Sequence, residues 1–132
     1  LALTIGLAHA HCQIPCGIYG DAARFDTMLE HATTITKSIT EIKRLSGSSD
    51  NANQTVRWVT NKETHAQMIQ DIIGDYFLAQ RIKETQSDYT ERLTLSHKII
   101  VMAMKTKQSS DLTQAEGLVK AIEAFKVQYF TE

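Results

Sequence analysis

The chain has 132 residues, 42% of them hydrophobic and 22% charged, with a formal net charge of −1. That composition suits one domain with a core and excludes a disordered chain or a basic nucleic-acid surface. One proline and six glycines leave long runs without breakers, which favours helices.

The first element is the apolar stretch "LALTIGLAHA", Leu1–Ala10. It is too short to span a bilayer, which takes roughly 20 apolar residues. Ala8 and Ala10 stand where a signal peptidase needs small residues, so the stretch reads as the end of a cleaved leader, with the cut before His11. The alternative is an apolar terminus that packs on the domain. The leader implies an extracytoplasmic protein, periplasmic or secreted, with no membrane in the mature form.

Residues 11–20 follow as a compact motif, and residues 21–132 as the main body. Four segments of the body carry helical periodicity. The first places Phe25, Met28, Leu29, Ala32, Ile35, Ile39 and Ile42 on one stripe and stops at "LSGSSD". The second is capped by Asp50 or Asn51, runs Val56, Val59, Ala66, Ile69, Ile73, Tyr76, and continues through "FLAQRIK". Ser87 or Asp88 caps the third, with its stripe at Tyr89, Leu93, Ile100 and Met104. After "KQSSD", the fourth shows Leu112, Ala115, Val119, Ile122, Phe125 and Tyr129. Short polar breaks force antiparallel neighbours, so the expected fold is all-α, an up-down-up-down four-helix bundle. Gly74 and Gly117 fall inside helical runs and suggest close helix contacts. Trp58 lies off its stripe, at a subunit contact or a rim.

The helical body makes a poor active site. His31, His65 and His97 lie on separate segments without a Glu-x-x-His partner, so a di-iron carboxylate site lacks its signature. Each reads as a surface or hydrogen-bonded histidine.

The motif "HCQIPCGIYGD", residues 11–21, holds both cysteines and the only proline. Cys12 and Cys16 can close a small disulfide in an oxidising compartment, act as a redox dithiol, or remain plain thiols. Structural zinc is disfavoured without a second cysteine pair. Cleavage before His11 opens a fourth possibility. The freed amine, the His11–Cys12 amide nitrogen and the thiolates of Cys12 and Cys16 form a planar N₂S₂ set, and the His11 imidazole can add an axial donor. Such a set suits Ni(II) or Cu(II), and axial imidazole with anionic donors makes one-electron cycling accessible. Pro15 supplies a rigid turn, and Gly17 and Gly20 flexible joints, that fold the segment into a hook.

This motif resembles the His-Cys-x-x-Pro-Cys-Gly-x-Tyr hook of the nickel superoxide dismutases, which are four-helix bundles with a hook created by proteolysis. The resemblance implies a superoxide dismutase that converts superoxide to dioxygen and hydrogen peroxide by Ni(II)/Ni(III) cycling. By that likeness His11, Cys12 and Cys16 hold nickel, Pro15 shapes the turn, and Tyr19 limits access to the metal. Asp26, on the first helix, is the candidate to hold the His11 ring. A homohexamer and a processing protease are also implied, with cytoplasmic processing by a dedicated protease as the alternative to export. A non-catalytic nickel or copper carrier is the alternative function.

Overall fold

A computed structural model describes residues 16–17 and 20–131. The leader stretch and the motif residues His11, Cys12, Pro15 and Tyr19 lie outside the described residues. Four helices account for most of the rest: α1 (Asp21–Leu45), α2 (Ala52–Asp71), α3 (Tyr89–Gln108) and α4 (Leu112–Phe130). A short 3₁₀ turn, Ser49–Asn51, precedes α2, and α2 runs on into a π-helical segment, Ile72–Arg81. No strand occurs among the described residues, and none of these helices is long and apolar enough to cross a membrane.

Helix α1 packs on α2 and α4, and α3 packs on the same two. Cross-helix bonds show the directions. Asn61 on α2 donates to Ser38 Oγ on α1 at 2.9 Å, while His65, further along α2, meets His31, further back on α1. The end of α4 returns to the start of α1, where the Tyr129 hydroxyl reaches Asp21. Neighbours therefore run antiparallel, as the short connections required.

Phe25, Met28, Ala32, Ile35 and Ile39 are all buried, as the first stripe predicted. They meet Ala66, Ile69, Ile73, Tyr76 and Phe77 from the second segment, and Ala115, Leu118, Ile122 and Phe125 from α4. Burying one large apolar side chain stabilises the fold by about 1.5–3 kcal/mol, so this interior is the principal stabilising feature.

Two stripes differ from expectation. Val56 and Val59 are exposed, because the inward positions at that end of α2 are polar. Asn61 bonds Ser38, and buried Lys62 sends Nζ to the carbonyls of Thr106, Lys107 and Ser109. On α3 the buried line is Ser96, Ile99, Ala103 and Thr106, while Met104 is exposed. Two of those four residues carry hydroxyls, so apolar periodicity points to the adjacent line. Helix starts also differ. Asn51 makes no side-chain cap and instead donates to the Leu45 carbonyl. Asp88 makes none either, because its carboxylate accepts from Arg92 Nε at 2.6 Å.

The two helical glycines behave differently. A methyl group at Gly117 would lie 2.5 Å from Met102 Cε, so α3 and α4 do approach closely there. At Gly74 such a group would meet nothing within 4 Å, and no close contact exists.

Candidate metal centre

Cys16 and Gly17 stand at one end of the bundle, just before α1. Gly20 bridges them to the helix with φ of 83°, the left-handed region that glycine enters without a Cβ penalty. Asp21 then opens α1, where a carboxylate suits the positive end of the helix dipole.

Beneath this entry the bundle presents aromatic rings. Phe25 lies 4.8 Å from Phe77, 5.2 Å from Phe125 and 5.4 Å from Tyr129, centroid to centroid. The π-helical segment supplies Tyr76, Phe77 and Arg81 to this end. Its wider turn closes with Ile82 N–H donating to the Phe77 carbonyl at 2.9 Å, and π-helical turns often mark functional sites.

Asp21 gathers three donors from distant elements. Its Oδ1 accepts from the Tyr76 hydroxyl at 2.5 Å. Its Oδ2 accepts from Arg81 Nη2 at 2.7 Å and from the Tyr129 hydroxyl at 2.7 Å. Burial pushes the Asp21 carboxyl up, but these hydrogen bonds and the Arg81 charge outweigh it and leave it below the ordinary carboxylate value. The same contacts act oppositely on the phenols. Burial and then the Asp21 bond raise Tyr76 to about 12, and raise Tyr129 in the same direction. The Asp21 hydrogen bond, working against burial, holds Arg81 more firmly protonated than usual.

Arg81 extends this cluster to the motif. A Cβ built on Gly17 would lie 3.1 Å from Arg81 Nη1 and 3.2 Å from its Cδ. The backbone beside Cys16 thus lies against a guanidinium that Asp21 holds, with the Asp21 carboxylate fixed in turn by Tyr76 and Tyr129. Only a residue without a side chain fits at 17 without displacing Arg81.

Of the predicted site residues, Cys16 and Asp26 are described. Cys16 is half-buried at the motif's base. Asp26 is exposed on α1 and accepts from Lys126 Nζ of α4 at 2.7 Å. The acidic residue next to the motif's Arg81 support is Asp21. Sequence reasoning passed over Asp21, Tyr76, Arg81 and Tyr129 as site residues; its only local signal was an acidic residue directly after Gly20.

Among the described residues, no three His, Cys, Asp or Glu side chains converge on one point. Cys16 is the described residue of the motif that carries a sulfur side chain, the soft donor type that transition-metal sites use. The bundle end offers a rigid, hydrogen-bonded platform on which a short donor-bearing segment can be held.

A family model described as nickel-containing superoxide dismutase matches residues 7–132. No curated protein and no solved structure matches the chain. Because that match runs from the segment bearing both cysteines through every helix of the bundle, the chain belongs to the nickel-containing superoxide dismutase family.

Proposed function

We propose that this enzyme disproportionates superoxide at a nickel hook formed by residues 11–20 after cleavage before His11. The observation that carries the reading is the contact of Gly17 with Arg81, which sets the backbone beside a candidate thiolate on a platform anchored to three parts of the bundle. His11 would contribute its amine and imidazole, Cys12 its amide nitrogen and thiolate, and Cys16 the second thiolate. Bound there, nickel supplies a one-electron couple between its divalent and trivalent states, so one superoxide is oxidised to dioxygen and another reduced to peroxide.

The chain's own residues provide position. Asp21 neutralises Arg81 at 2.7 Å, so the pair works chiefly as a clamp and little as an electrostatic funnel. Tyr76 and Tyr129 keep their protons at neutral pH and hold the Asp21 carboxylate from two sides. Tyr19 would stand over the open face and limit what reaches it. Assembly into a homohexamer, with neighbouring bundles covering each hook, belongs to the same reading. So does export, with the leader removed by a processing protease.

Protein isolated from its native host provides the test. N-terminal sequencing, nickel quantification and a superoxide consumption assay should give His11 as first residue, one nickel per chain and turnover. Nickel binding without turnover would identify a carrier instead. An uncut chain with full activity would remove the N-terminal amine from the donor set.

A further inference from the structure

A second concentration of metal-binding groups lies on the α1–α2 seam. His31 is about 15 Å along α1 from Asp21, at the usual helical rise. Its Nδ1 is 2.9 Å from Nδ1 of His65, with the ring planes at 63° and centroids 4.9 Å apart. Both rings are half-buried between the helices. The Asn61–Ser38 bond crosses the same seam further on, so the register that joins the two imidazoles is set independently of them.

We propose that His31 and His65 form a second metal site, a bidentate chelate for a divalent transition-metal ion such as Ni²⁺ or Cu²⁺, separate from the hook. The geometry argues for it. With metal–nitrogen bonds of about 2.0 Å, two nitrogens at this separation subtend about 90° at the ion. That is the cis angle of square-planar and octahedral ions, and smaller than a tetrahedral ion prefers. Imidazole is a suitable donor for nickel and copper, and Glu30 adds negative charge beside His31.

The proton count closes without a co-reactant. In the metal-free pair, each neutral ring has one proton, and one Nδ1–H donates to the other Nδ1. With an ion between them both protons sit on Nε2, so binding by the neutral pair releases none. No third His, Cys, Asp or Glu converges here among the described residues, so water completes the coordination.

The test uses the full chain carrying Cys12→Ser and Cys16→Ser, which removes the hook thiolates. Equilibrium dialysis against Ni²⁺ or Cu²⁺ should show one fewer bound equivalent when His65→Ala or His31→Ala is added. Unchanged stoichiometry in both variants would overturn the site. A second measurement keeps both histidines in place: ethoxycarbonylation of the imidazole by diethyl pyrocarbonate, which releases ethanol and carbon dioxide, read by peptide mass spectrometry. Either ion should slow modification of His31 and His65 several-fold while leaving exposed His97 as the internal reference. Equal rates at all three histidines with and without metal would equally overturn it. Neither outcome depends on the hook or on dismutase activity.

Discussion

The Tyr129 hydroxyl donates to Asp21 Oδ2 at 2.7 Å across 108 residues of sequence, so the last turn of the bundle closes onto the residue that begins its first helix. The bond joins the end of α4 to the root of the motif. Arg81 shares the same carboxylate oxygen and supports Gly17. Motif position and bundle closure therefore depend on one side chain.

Replacing that side chain should affect both. Asp21→Asn removes the charge opposite Arg81 and leaves the guanidinium partly buried and uncompensated. Arg81 is 35% exposed, so water recovers part of the loss, and the expected destabilisation is about 1–3 kcal/mol. Denaturant unfolding measures this. Nickel retention should fall beyond the effect of an equally destabilising substitution elsewhere in the bundle.

The cluster also gives pH dependences with opposite signs. Asp21 is lowered in the folded state, so its contribution is present above the ordinary carboxylate range and is lost as pH falls below about 4. Asp21→Asn should flatten that acid limb. Tyr76 is raised to about 12, so its contribution is full below about 10 and is lost as pH rises from there towards 12. A phenolate absorbance titration should show Tyr76 and Tyr129 ionising late, and earlier in Asp21→Asn.

Lys62 carries a separate prediction. Its buried ammonium donates to three carbonyls at and beyond the end of α3, closing groups that a helix terminus leaves open. Lys62→Met keeps the stem's packing but strands those acceptors, at an expected cost of about 2–4 kcal/mol. Calorimetric unfolding should register it as a drop in Tm, with hydrogen exchange at the end of α3 rising first.

The glycines offer a matched comparison. Gly74→Ala adds a methyl group into open space and should stabilise by about 0.5–1 kcal/mol. Gly117→Ala makes the same conformational gain but must push Met102 Cε aside. Its measured stability should change less than that of Gly74→Ala. An equal gain in both would show that Met102 moves without cost.

His11 separates metal binding from turnover. If the hook forms as proposed, His11→Ala would keep the amine, the amide nitrogen and both thiolates, so nickel content should stay near one per chain. On the proposed donor set, loss of the imidazole should remove most dismutase activity. Cys12→Ser or Cys16→Ser should lose nickel as well, because a hydroxyl is a weaker and harder donor than a thiolate. Metal analysis beside an activity assay distinguishes these outcomes.

What the sequence determined by itself is whatever short-range pattern can encode. Apolar residues three and four apart in "MLEHATTITKSI" dictate a helix with Met28, Ala32, Ile35 and Ile39 inward, and the breaks at Gly47, at "ETQSD" and at Ser109 turn each helix back on the one before. The soft and nitrogen donors of "HCQIPCGIY", within a few residues of one another, suit nickel or copper, and the resemblance of the motif to the nickel superoxide dismutase hook implies nickel. Tertiary structure alone decided which polar residues face inward. Asn61, Lys62 and Thr106 occupy seams where a partner on another helix, or a carbonyl of the same one, replaces apolar contact, and no local periodicity reports such a partner. It also decided the motif's support. Asp21 meets Tyr76, Arg81 and Tyr129 only because the π-helical segment and the end of α4 converge on the start of α1, and hydrogen bonds spanning 55, 60 and 108 residues leave no trace in spacing.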